Sequence, residues 1–468
     1  MEKETVKHSL KGNQRVIKGW IFYDWANSVY NLVISSAIFP VFYANITESH
    51  YLKKVGREKL LPDENVMIDF FGISLSNSVL FSYVLAASFL LVSVLSPLLS
   101  GIADISGNKK RFMQFFCYLG AFSSISLYWF DPANIEWGML SIFLASIGFW
   151  NSLVFYNAFL PEIAEPKQHD NISARGFSMG YFGSMLLLVI CLAMIMLGDA
   201  AYTKYSFVLV GLWWMGFAQF TFRRLPHNIY KRDVNSGYIF KGVTELKSVF
   251  KEFRQTKRLQ RYLLSFFFFN TGVQTVMLMA VVFAKKEIEW GEGGGDANLI
   301  IAILLIQILG AAGAYLMSFI SSKIGNLKTL IFVVIGWMLL CIWAYWIKSP
   351  VEFYFLAAGI GLVMGGVQAL SRSTYSKFLP TTEDHASYFS FYDVAEKLGI
   401  VLGLFFFGFM EYMTGNLRAS VLSIVGFFAI GLVLLILVPR KESAKGRKAL
   451  SKRRLQKLKE KEAESRVK

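Results

Sequence analysis

Apolar stretches of about 20 residues recur roughly a dozen times along this chain, and that recurrence leaves little choice of fold. A stretch of this length spans a bilayer's hydrocarbon core as a helix. With no water there to satisfy the backbone, only helices and closed barrels cross. The stretches fall at roughly 19–45, 76–102, 112–130, 137–160, 176–198, 204–222, 261–284, 297–321, 328–347, 352–374, 388–412 and 418–439. The expectation is an all-α polytopic membrane protein of about twelve transmembrane helices.

The net charge of +16 raises nucleic acid as a partner, so the position of the charge has to decide. With both termini placed in the cytoplasm, 38 of the 48 Lys and Arg fall on that side, 9 fall opposite and Lys397 lies within a span. Cytoplasmic loops carry such an excess. The basicity is therefore topological, and no nucleic-acid partner is expected. Cys117, Cys191 and Cys341 all sit in apolar segments, with no Cys-x-x-Cys or His cluster beside them. Neither a disulfide framework nor a metal site is expected. The first apolar stretch lacks a small-residue cleavage site and reads as a span.

Two landmarks repeat. Asp104-Ile105-Ser106-Gly107-Asn108 follows the second span, and Ser322-Lys323-Ile324-Gly325-Asn326 follows the eighth, 218 residues on. Tyr156-Asn157-Ala158-Phe159-Leu160-Pro161 follows the fourth, and Tyr375-Ser376-Lys377-Phe378-Leu379-Pro380 follows the tenth, 219 residues on. A parallel repeat of six plus six spans implies two bundles with a solute site between them near the midplane. The expected units are a first bundle over 1–222, a basic linker over 223–260, a second bundle over 261–440 and a basic tail over 441–468. In the linker, Phe240, Val243, Leu246, Val249, Phe250 and Phe253 recur at helical spacing among basic residues. That suits a helix on the cytoplasmic leaflet facing anionic lipids, or a partly helical solvated linker.

The segment Gly101-Ile102-Ala103-Asp104-Ile105-Ser106-Gly107-Asn108-Lys109-Lys110-Arg111 resembles the loop 2–3 signature of the major facilitator superfamily. Ser100 stands where its first glycine is usual, and Ile105 replaces its first basic residue. Tyr23-Asp24-Trp25-Ala26-Asn27-Ser28-Val29-Tyr30, Asn270-Thr271-Gly272-Val273-Gln274-Thr275 and Gly365-Gly366-Val367-Gln368-Ala369-Leu370-Ser371-Arg372-Ser373 are similar to the vacuole-effluxer-like branch. That branch holds fungal autophagy-related vacuolar amino-acid exporters and bacterial relatives. The resemblance implies the major facilitator fold, amino acids as solutes and a bacterial inner membrane or vacuolar-type membrane. It also implies that Asp104 bridges the bundles toward the start of the eleventh span. Thr271 departs from it, since an aspartate is implied there.

Polar residues inside spans are costly and mark function by default. Asp24 has Asn27 and Asn31 at i+3 and i+7, with Tyr30 adding a hydroxyl. The acid could bind an ammonium, exchange a proton, or pair with Lys18 or another inner-face cation. Asn151 sits among aromatics of the fourth span. Asn270 and Gln274 occupy the matching part of the seventh, for ligand binding or for interhelical bonding. Gln368 and Arg372 are one turn apart on the tenth span. Arg372 could hold an anionic group bidentately, or, the favoured reading, serve as an inner gate pairing with Asp384, Asp393 or Glu396. Asp393, Glu396 and Lys397 open the eleventh, either titrating during transport or pairing internally. The expected solute site is Asn27 and Asn31 facing Asn270 and Gln274, with Asp24, Tyr30, Asn151 and Gln368 nearby. Asp104, Arg372, Asp393, Glu396 and Lys397 are the expected gate.

The function expected is a secondary transporter exporting or exchanging a small polar solute. It needs no cofactor; proton coupling stays open, and a monomer is expected. An enzyme is not, because the five histidines are scattered and no catalytic cluster forms. A primary pump is not, because no Gly-x-x-x-x-Gly-Lys loop occurs. The alternative is a sensor or scaffold that kept the fold without transport.

Overall fold

The computed structural model describes residues 11–61, 64–198, 202–227, 238–291 and 295–442. Most of the basic tail and residues 228–237 of the linker lie outside these. In the first half, α1 runs Gln14–Val55, α2 Asn77–Ser106, α3 Lys109–Ser126, α4 Ile135–Ala158, α5 His169–Leu197 and α6 Thr203–Phe222. A linker helix, α7, spans Tyr238–Phe253. The second half has α8 Lys257–Glu287, α9 Gly295–Ile324, α10 Asn326–Ala344, α11 Pro350–Phe378, α12 His385–Thr414 and α13 Leu417–Ile436. Ten of the twelve long segments are apolar enough to cross a membrane on their own composition. The other two are α3, which opens on Lys109-Lys110-Arg111, and α12, which carries Asp393, Glu396 and Lys397.

Local chemistry sets the ends. Asn13 caps α1 by accepting from the backbone of Arg15 and Val16. Ser349 and Glu352 form a capping box around Pro350 at the start of α11. The sequence repeat reappears in the backbone: α2 ends at Gly107 (φ 68°) and α9 at Gly325 (φ 90°). Both adopt the left-handed region that glycine tolerates. It reappears in the packing too. Across the two halves, α2 lies on α12 and α5 lies on α9, so the second and fifth helices of each half exchange partners.

Three features differ from the sequence-based reading. First, α1 turns π-helical over Tyr30–Ile38, with the Phe39 N–H reaching back to the Ile34 carbonyl. Pro40 lacks the N–H that would bond the Ser36 carbonyl one turn back. Asn31 lies within this turn and is exposed, while Asp24 and Asn27 are buried. Second, the outer segment is not all loop. α1 continues to Val55, and β1 (Met67–Phe70) pairs antiparallel with β2 (Ile73–Ser76). Phe71 and Gly72 turn this hairpin, both with positive φ. Nearby, Arg57 and Tyr51 donate to Glu64, and the guanidinium holds that carboxyl at about 2. Third, α7 docks on protein. Gly242 meets Ile102 of α2, Val249 is fully buried, and Phe250 and Phe253 reach Phe391 of α12.

Close packing inside the second half runs along α9 and α11. A methyl group at Gly365 would collide with the Gly310 carbonyl oxygen. Gly365→Ala is expected to cost about 1–3 kcal/mol, as overpacking does. It should lower the thermal midpoint in detergent, whereas Gly408→Ala, whose added Cβ meets nothing within 4 Å, should not. Equal midpoints would count against this seam.

Candidate functional site

The site is built where the halves meet at their basic end, and it joins two of the sequence motifs. α1 carries Asp24 inward from its capped start, and α11 carries Arg372 in from the other half. The Arg372 Nη2 lies 3.2 Å from Asp24 Oδ2, with side-chain exposures of 3% and 6%. Tyr156 donates to the same Asp24 oxygen at 2.8 Å. All three guanidinium nitrogens donate: Nε to Ser173 Oγ at 2.9 Å, Nη2 also to the Ser173 carbonyl at 3.0 Å and Nη1 to Asn157 Oδ1 at 3.4 Å. Phe177 and Trp20 cover its faces at 4.1 and 4.7 Å. A lysine cannot reproduce this fork. Gly176 makes the space, because a Cβ there would run into Asp24 Oδ2 and Arg372 Nη2.

Two further clusters flank this pair. On one side Asp104 accepts from the Ser387 N–H at 2.7 Å and the Ala386 N–H at 3.2 Å, at the start of α12. A carboxylate is favoured at a helix N-terminus. Lys109 bridges Asp104, at 3.2 Å, and Glu162, which His385 Nδ1 also meets at 3.0 Å. On the other side Asp170, at the start of α5, pairs with Lys377 at 2.6 Å. It also accepts from Ser321 at 2.8 Å and Asn326 at 2.7 Å. The two clusters are related by the repeat: each sets the end of a second helix against the start of a fifth helix across the seam. The carboxylate lies on the second helix in one cluster and on the fifth in the other.

Deeper in, α12 presents a fourth charged group. Lys397, fully buried, lies 3.0 Å from Asp393 Oδ1 and 2.8 Å from Glu396 Oε2, with its ammonium 3.5 Å over the Trp150 ring. Ser96 of α2 donates to Asp393 at 2.9 Å, and Gln274 of α8 to Glu396 at 3.1 Å.

Several sequence-based placements need revising. Arg372 pairs with Asp24 and not with Asp384, Asp393 or Glu396, because both groups are buried and each is the other's compensating charge. Asp24 is thus taken up by Arg372 and Tyr156 in this conformation. Gln368 accepts from Tyr181 at 2.6 Å. Tyr30 packs on Phe149 and Trp214. Asn151 donates to the Ile147 carbonyl while its oxygen has no partner among the described residues. Asn27 and Asn270 likewise keep unpartnered amide nitrogens. Thr271 bonds its own helix at the Phe267 carbonyl and lies against Gly399, as a packing residue. Glu162, Asp170, Ser173, Lys377 and His385 were not anticipated. Glu162 and Asp170 had a signal: both are acids in the short polar segment between the fourth and fifth apolar stretches.

Residues 12–448 match the family described as vacuole effluxer Atg22 like. An uncharacterized MFS-type transporter of Bacillus subtilis, YxiO, is 30% identical over 437 residues, covering 91% of this chain and 95% of that protein. Autophagy-related protein 22 of Yarrowia lipolytica is 25% identical over 462 residues, covering 79% and 77%. Among solved structures, the human organic anion transporter MFSD10 superposes with a TM-score of 0.66 at 12% identity, covering 91% of this chain and 99% of that one. With the two six-helix halves and the charged seam between them, these matches place the chain in the vacuole effluxer Atg22-like family of major facilitator transporters.

Proposed function

We propose that this protein is a secondary active transporter that exports a small zwitterionic solute of the amino-acid class, coupled to protons. The observation that carries the reading is the Asp393–Glu396–Lys397 cluster, which sets an ammonium between two carboxylates against Trp150 of the opposite half. A zwitterion offers the matching pair of charges. Its ammonium takes the partly exposed Glu396, beside Gln274, and its carboxylate takes Lys397. Exposed Asn31 and the unpartnered amides of Asn27 and Asn270 line the way to it. When Lys397 turns to the solute, Asp393 loses its cation and takes a proton, with the Ser96 hydroxyl holding it in place. Alternating access follows as the halves rock about the seam. The direction, efflux, rests on the family's description.

Flux of a labelled amino-acid panel into sealed vesicles tests this. Wild-type flux should follow the pH gradient. Lys397→Gln removes a charge-assisted bond worth about 1.5–3 kcal/mol, so solute affinity should drop on the order of 10- to 150-fold. Asp393→Asn should leave flux down a solute gradient but remove its response to pH. Full flux and full pH response in both variants would sink the assignment.

A further inference from the structure

We infer that the protein carries a binding site for one anionic phospholipid at its basic end, in a recess between α1 and α6. This inference stands independently of the solute assignment. The recess has a volume of about 560 Å³ and opens outward between two membrane-spanning helices. Arg15, Arg223 and Arg224 form its rim, and Phe22, Phe217, Phe220 and Gly216 its wall. The spacing sorts charge from apolar surface. On α1, Phe22 lies two turns inward of Arg15; on α6, Gly216 lies two turns inward of Arg223. A cationic end about 10 Å from an apolar wall matches a phosphate headgroup followed by the start of an acyl chain.

The three arginines are not equivalent. Arg224 is committed: its guanidinium stacks on Phe220 at 3.3 Å and donates to the Phe220 carbonyl at 3.1 Å. Arg15 and Arg223 are exposed, with no carboxylate partner among the described residues. Lys109 and Lys377, by contrast, are each paired with an acid. The wall is preformed, with Phe22 and Phe220 at 4.4 Å and Phe217 at 5.9 Å from Phe22. Gly216 has open space where a side chain would stand. A free phosphate would use the rim alone, whereas a lipid uses rim and wall together. The basic end carries the excess of Lys and Arg that marks the leaflet where anionic lipids gather.

Native mass spectrometry of the full-length protein in detergent provides the test, with phosphatidylglycerol, phosphatidylcholine and inorganic phosphate as separate probes. One phosphatidylglycerol should bind in preference to phosphatidylcholine. Arg15→Ala/Arg223→Ala should weaken it on the order of 30-fold, the effect of two cations at a membrane surface. Gly216→Phe should also weaken it, through the wall and with every charge kept. The equal-charge control Lys323→Ala/Arg440→Ala should leave it intact. Unchanged phosphatidylglycerol binding in the arginine variant or in Gly216→Phe overturns the site. So does an equal loss in the control, or inorganic phosphate binding as tightly as the lipid.

Discussion

Arg372→Met should destabilise the protein by about 3–5 kcal/mol, the cost of leaving a buried charge without its partner. Asp24 would keep the Tyr156 hydroxyl as its contact and lose its cation. The carbonyl of Ser173, the amide of Asn157 and the faces of Phe177 and Trp20 would all lose a partner at once. The informative comparison is Asp24→Asn/Arg372→Met. With both charges gone neither position leaves an unpaired buried charge, so the double variant should be more stable than Arg372→Met alone. Thermal midpoints in detergent read this. A double variant that loses as much as the two single changes added together would show that the pair does not act as a pair. Arg372→Lys should resemble Arg372→Met, because an ammonium cannot serve Ser173, Asn157 and Asp24 together.

Lys109→Met is expected to be as damaging, for a different reason. Lys109 is shared by Asp104 and Glu162, and all three side chains are almost wholly buried. Its loss sets two carboxylates on the same side of the seam with no ammonium between them. The closed arrangement at the basic end should weaken by a further 3–5 kcal/mol or so. The readout is accessibility. A cysteine at Ser387, buried against Asp104, should react slowly with a water-soluble maleimide in the parent and quickly in Lys109→Met. Equal labelling rates would separate Lys109 from closure. The native cysteines, Cys117, Cys191 and Cys341, are all buried and give little background.

The large architecture was readable because it is periodic. Apolar runs of span length, an excess of basic residues on one side and two landmarks at nearly constant offset all survive without knowledge of contacts. The repeat is visible even as a matched pair of left-handed glycines, Gly107 and Gly325. The seam was readable only one residue at a time. Asp24 and Arg372 are 348 positions apart, and no local spacing links them. Burial marks each as needing a partner without saying which. The π-helical stretch of α1 had a cue in Pro40, but helical periodicity presumes a constant turn, so Tyr30–Ile38 was read as regular helix. The β-hairpin escaped because Phe71-Gly72 replaces the Asn-Gly pair that usually announces such a turn. α7 showed its amphipathic pattern, yet a pattern cannot tell a membrane surface from a protein groove.

The division of charge across the seam has a consequence for timing. Asp24, Asp104, Glu162 and Asp170 all belong to the first half, and each has partners in the second: Arg372, the start of α12, His385 and Lys377. Opening the basic end would part Asp24 from Arg372 and Asp170 from Lys377, whereas Lys109 stays with Asp104 and Glu162 on the first half. Parting both buried pairs together is the expected route, with the open form expected as the minority species. Inverting a 1:99 population takes about a 10⁴-fold preference of the ligand for the rarer form. Variants that loosen a single contact should raise that minority and shorten the dwell before each turnover, so a less stable protein can cycle faster.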